Sequence, residues 1–271
     1  MKKIISNLIV ISLLSYSTLY GYIAVNETIG PHDYRTTYAE IFAPLSRSTT
    51  VSASYTSSSY SGSSSRISYG GEVNTKVNRN IDAGAGFILS PERGGLKYTA
   101  WDVSGGYTFG ERDFKVRLGM YFQDTIYEQQ TSGDSRTLNQ YIYCPSIKLT
   151  ILRSLKIGFN TALFTYSENV NSFGGSVEPW SLRNNRDLGG IIGVVGDFPS
   201  RTETIGVAYR IVKPLEVYGE WSRIFYERSS YSDTLNAFGM RYFLTENFAF
   251  SVNFIAYNDE TYNTLGFGLY W

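Results

Sequence analysis

The sequence predicts an all-β chain closed into a transmembrane, antiparallel up-and-down β-barrel of twelve strands, with ten and fourteen as alternatives. Three observations predict it. Apolar and polar residues alternate with a period of two from Thr49 to the C-terminus, and successive side chains on a strand point to opposite faces. Short polar turns alternate with longer Ser-, Gly- and Asp-rich connections, as in barrels with short turns on one side of the membrane and long loops on the other. The composition favours strands and turns, with Gly 26, Tyr 23 and Phe 16 in 271 residues, only 7 Pro, and a mean hydropathy of −0.18.

The same counts exclude several function classes. With 24 basic and 24 acidic groups the formal net charge is zero, so no global basic field is available to hold nucleic acid. The single Cys excludes a disulfide framework and a Cys-cluster metal site. The single His, His32, removes most His-dependent chemistry. No cofactor, metal site or catalytic residue is expected.

Taken in order, the chain opens with a positive Lys2–Lys3 pair. An apolar stretch from Ile4 to Leu14 follows, broken only by Ser6, Asn7 and Ser12, and then small residues at Ser15, Ser17 and Gly21. Residues 1–21 therefore read as a secretory signal peptide, too short to span a membrane. Its removal leaves two more acidic than basic groups. Residues 22–48 read as an N-terminal periplasmic or plug segment, with Tyr38–Leu45 as plug, short helix or extra strand. Residues 49–271 are the expected outer-membrane barrel. The longest late apolar run, Gly189–Gly196, is far below the roughly 18 residues of a helical span.

The twelve expected strands are 49–56, 66–77, 81–89, 97–109, 114–127, 137–152, 155–166, 202–212, 215–226, 234–244, 248–257 and 261–271. In the second, Ile67, Tyr69, Val73 and Val77 oppose Arg66, Ser68, Glu72, Asn74 and Lys76. In the fourth, Trp101, Val103, Tyr107 and Phe109 oppose Asp102, Ser104 and Thr108. In the fifth, Phe114, Val116, Leu118, Met120 and Phe122 oppose Lys115, Arg117, Tyr121 and Gln123. A soluble sandwich also alternates, but aromatics at the ends of the apolar faces and charges on the opposite ones suit lipid outside and an aqueous lumen inside. Cys144 is expected to be a small structural residue in the sixth strand, where Pro145 marks a bulge. Arg223 falls on an apolar face near the outer rim, where its stem reaches the headgroups. The connection Glu168–Arg201 is long enough to have a function or structure of its own.

The C-terminal sequence T-L-G-F-G-L-Y-W resembles the insertion signal of bacterial outer-membrane barrels. Thr264, Gly266, Leu269 and Trp271 fill its polar, glycine, hydrophobic and terminal aromatic places. The resemblance implies location in the bacterial outer membrane and recognition by the barrel-assembly machinery.

With the polar faces turned inward, Arg66, Lys76, Lys115, Arg117, Lys148, Lys156, Arg210 and Arg241 stand against Glu72, Asp82, Asp102, Glu216 and Glu220. The pore-lining candidates are Arg66, Glu72, Asp102, Arg117, Lys148, Arg210, Glu220 and Arg241. Inward charge biases which ions and solutes pass. The expected function is a narrow passive channel with a weak preference for anions, with outer-membrane lipid and small anionic solutes as partners. It resembles the twelve-stranded porins for acidic oligosaccharides in strand number and basic lumen only. The alternative is a closed structural barrel, in which Glu72, Asp102 and Glu220 neutralise Arg117, Arg210 and Arg241. Adhesion or surface interaction then falls to loops Ser57–Ser65 and Glu168–Arg201, the latter with Phe173 and Trp180. An enzyme is not expected, because His32 precedes the first expected strand and an Asp102–Glu220 pair suits a salt-bridge network better than acid–base work.

Overall fold

The computed structural model describes residues 21–270, apart from 60–65, 94, 112, 132–133 and 171–197. The signal-peptide expectation, Phe173, Trp180 and Trp271 therefore lie outside the described residues. Fourteen strands follow one another in sequence. They are β1 (Tyr22–Ile29), β2 (Arg35–Pro44), β3 (Thr49–Ser59), β4 (Arg66–Lys76), β5 (Ile81–Arg93), β6 (Leu96–Glu111) and β7 (Phe114–Thr131). The second half holds β8 (Asp134–Ile151), β9 (Leu155–Tyr166), β10 (Pro199–Val212), β11 (Leu215–Tyr226), β12 (Ser232–Phe243), β13 (Phe248–Tyr257) and β14 (Glu260–Tyr270). Each pairs antiparallel with its neighbours in the chain, and β14 returns to pair with β1, so the sheet closes without an edge.

The strand number corrects the expectation of twelve, and the two extra strands come from residues 22–48. These form neither a plug nor a periplasmic segment: β1 and β2 complete the barrel wall. Their alternation is weak for a physical reason. The outward face carries Glu27 and Arg35, which form an ion pair, while the inward face carries the rings of Tyr22, Tyr38 and Phe42. Tyr22 stacks on Phe42 at 5.0 Å and donates its hydroxyl to Glu40 at 3.0 Å. The β1–β2 turn places His32 and Asp33 at φ 54° and 59°. It belongs to the end where the long connections lie, opposite the chain termini, so His32 follows the first strand instead of preceding it. Its Nε2 lies 3.3 Å from Glu260.

Elsewhere the expected strands are present, several of them longer. β7 and β8 have 18 residues each and project furthest from the short-turn end. The expected loop Pro91–Gly95 is mostly strand, with an irregular register between Ser90 and Arg93. Pro145 produces no bulge: the β8–β9 ladder omits Cys144 and Pro145 and resumes in the same register from Tyr143–Leu163 to Ser146–Asn160. Proline has no N–H to donate, and here the neighbouring pairs carry the strand across the gap.

Outward faces are largely apolar, with Trp101, Val103, Leu118, Met120, Phe238, Phe254, Leu265, Phe267 and Leu269 all exposed. The inside is not uniformly polar. From mid-barrel to the loop end, the β7–β9 wall buries Tyr121, Leu138, Ile142, Cys144, Ala162 and Phe164 inward. Leu235, Ile255 and Tyr262 pack with Tyr34 on the far side of the barrel seam. Val170 and Phe198, which bracket the long connection, are buried in the same interior, and Arg228 lies 4.3 Å above the Phe198 ring.

Candidate channel interior

A cavity of about 910 Å³ occupies the remaining interior. It follows the β1–β4 wall from Arg47 and Ser48 in the β2–β3 turn to Ser58 and Arg66 at the loop end. The side chains there are small and hydroxylated, including Thr36, Thr50, Ser54, Thr56 and Ser68. Short hydroxyl side chains leave space that the apolar packing on the opposite wall does not.

Charge gathers at the short-turn end. Asp82 and Lys156 are each second in their strand, Glu216 is second in β11, and Lys76 ends β4. Arg117, Lys148, Lys156, Arg210 and Arg241 form a basic arc across β7–β12, interrupted by Glu216 on β11. Of the charged residues lining the cavity, eight are basic and four acidic among the described residues. Glycine makes room for the largest of them: Gly106 lies beneath the Arg117 guanidinium, so any Cβ there collides with it. Arg117 donates Nε to Asp82 Oδ2 at 3.0 Å and Nη2 to Oδ1 at 2.5 Å, the two-pronged geometry that makes an arginine–carboxylate pair specific. Glu216 is shared, 3.6 Å from Arg210 and 3.7 Å from Arg241. One carboxylate between two guanidinium groups leaves the group net positive. Arg117 is also the direct cross-strand partner of Lys148, a like-charge pairing that is unfavourable by itself.

Of the eight residues singled out from sequence, Arg66, Glu72, Arg117, Lys148, Arg210 and Arg241 line the cavity. Asp102 and Glu220 also point inward but are buried at 7% and 5% exposure. Asp102 lies over Gly86, and Glu220 accepts from Ser222 at 3.3 Å. Asp82 is a carboxylate partner of Arg117, and Glu216 is one of both Arg210 and Arg241, in addition to the carboxylates singled out from the sequence. Glu40 and Arg47 were missed, because residues 22–48 were not read as barrel. Three of the four insertion-signal residues fall in β14. Leu269 faces outward, Gly266 sits between Asn26 and Ser251, and Thr264 shares a 2.8 Å hydrogen bond with Thr28.

No protein-family model matches the chain, and neither does any curated protein sequence. Solved structures do. The outer membrane protein Omp33 of Acinetobacter baumannii aligns at TM-score 0.53 and 12% identity, covering 93% of this chain and 97% of that one. CdiB from Acinetobacter baumannii aligns at 0.50 and 9%, covering 94% of this chain and 60% of that one. The KdgM porin aligns at 0.49 and 10%, covering 92% and 98%. At these identities the likeness is one of fold. By fold, the chain is a closed antiparallel β-barrel of the outer-membrane type.

Proposed function

We propose that the protein is a narrow passive channel of the bacterial outer membrane, passing small solutes with a weak preference for anions. The observation that carries this reading is the cavity, which runs along β1–β4 between the two ends of the barrel and has eight basic against four acidic residues on its wall. Rings of like charge in a narrow aqueous passage raise the local concentration of counter-ions. The reading includes export and location in the outer membrane, and no catalytic role.

Single-channel conductance of the refolded protein in a planar bilayer under a salt gradient tests it. Discrete steps with an anionic reversal potential are expected. Arg117→Glu and Arg241→Glu, measured separately, should weaken or reverse that preference, and unchanged selectivity in both overturns the assignment of the basic arc. The second reading is a closed barrel whose loops recognise a surface. It is favoured by the solid packing of Leu138, Ile142, Leu235 and Phe198, all at 0–1% exposure. Silence from a folded barrel would select it. A loop deletion made to test that reading must stop before Phe198, which belongs to the buried interior.

A further inference from the structure

The outward face of β10 and β11 departs from the apolar pattern at its loop end. Arg201, Glu203, Ile205 and Val207 on β10 share the lipid-facing side with Trp221, Arg223 and Phe225 on β11. Phe225 pairs with Arg201 across the strands, and Arg223 pairs with Glu203. Both guanidinium groups lie over the Phe225 ring, 4.3 Å and 4.9 Å from its centre. Arg201 also reaches Glu203 at 3.4 Å, and Arg223 donates to Ser232 Oγ at 3.1 Å. Two cations with one carboxylate give this exterior patch a net positive charge.

Its height is fixed by the strand. From Tyr209 near the short-turn end to Arg201, eight residues of a tilted strand rise about 20 Å, close to the roughly 25 Å of an outer-membrane apolar band. At the bilayer midplane a lipid-facing arginine costs about 2–4 kcal/mol, but near the interface about 0–1. Arg201 and Arg223 therefore sit where headgroup phosphates lie. Directly below them the lipid face is indented. A groove of about 530 Å³ is bounded by Ile205, Val207, Trp221, Phe238 and Phe254, with Gly219 in its floor.

We propose that this surface is a site for one phosphorylated lipid: its phosphate on Arg201 and Arg223, and one acyl chain in the groove over Gly219. Guanidinium groups bind phosphate with paired, charge-assisted hydrogen bonds, and Phe225 holds both at the headgroup level in place of free snorkelling. The site is independent of the channel, because all its side chains face away from the lumen.

Native mass spectrometry of the full-length barrel in neutral detergent tests the proposal, with phosphatidic acid as probe and the matching diacylglycerol as control. Wild type is expected to retain one phosphatidic acid and no diacylglycerol, and inorganic phosphate in excess should not displace it. Arg201→Ser with Arg223→Ser should weaken retention about tenfold, the loss of charge-assisted contacts. Gly219→Leu should weaken it by filling the groove, and the barrel tolerates this change because a Cβ at Gly219 meets only Ala237 O, at 3.6 Å. Heat-modifiable migration in detergent gels checks that each variant folds. Equal retention by the double arginine variant, equal binding of diacylglycerol, displacement by inorganic phosphate, or retention unaltered in Gly219→Leu overturns the proposal.

Discussion

Glu216 holds Arg210 and Arg241 on the β10–β12 wall, at 3.6 Å and 3.7 Å, and removing its charge exposes both cations to the lumen. Glu216→Gln is therefore expected to raise anion preference, read as a larger reversal potential under the same salt gradient. A smaller or unchanged potential would show that this cluster does not face the conducting path. A second prediction concerns Gly106. A side chain there displaces the Arg117 guanidinium from Asp82. Gly106→Val should destabilise the barrel by about 1–3 kcal/mol, as overpacking does, and change selectivity far less than Arg117→Glu, because the Arg117 charge is kept. Urea unfolding and the salt-gradient measurement read the two effects separately. The inward placement of Arg117 and Arg241 was legible, because alternation assigns faces. Their partners Asp82 and Glu216 were not, because Glu216 faces Arg210 and Arg241 only in one register, and Asp82 reaches Arg117 from two strands away.

At the scale of elements, β1 and β2 teach the same lesson. Alternation announces a strand when one face is apolar and the other polar. On β1 and β2 the outer face holds Glu27 and Arg35 and the inner face aromatic rings, so the contrast nearly vanishes while the backbone pairing persists. β14 was legible throughout, since Leu265, Phe267 and Leu269 all face lipid and the intervening glycines face in. Deletion of residues 22–29 distinguishes a wall strand from a plug. Without β1, the neighbours β2 and β14 run parallel to each other, and an antiparallel barrel cannot close. That variant should lose heat-modifiable migration in detergent gels, whereas loss of a plug would leave it intact. The inward apolar residues Leu138 and Ile142 of β8 and Ala162 and Phe164 of β9 escaped detection for a related reason. A strand apolar on both faces, such as the stretch around Ile142, has no contrast to show which side is lipid.

Across the whole molecule, the barrel is solid on one side and hollow on the other. Packing fills the β7–β9 wall, and the cavity follows the hydroxyl-rich β1–β4 wall. Thr56→Trp on the hollow side should lower conductance about twofold or more by narrowing the path, since pore radius limits passage, with stability little changed. Ile142→Ala on the solid side should cost about 2–4 kcal/mol by leaving a cavity, with conductance little changed. The converse pattern in bilayer recordings and unfolding curves would place the path along the opposite wall.

Closure of β14 onto β1 joins Thr28 to Thr264, 236 residues apart. The first strand of the barrel must therefore wait for the last before its outer edge is paired. Every shorter chain, released early or clipped, keeps two open edges ready to pair with other chains, and contacts between such distant positions form slowly. The seam thus acts as a test of completeness: only a chain that carries β14 can complete the cylinder.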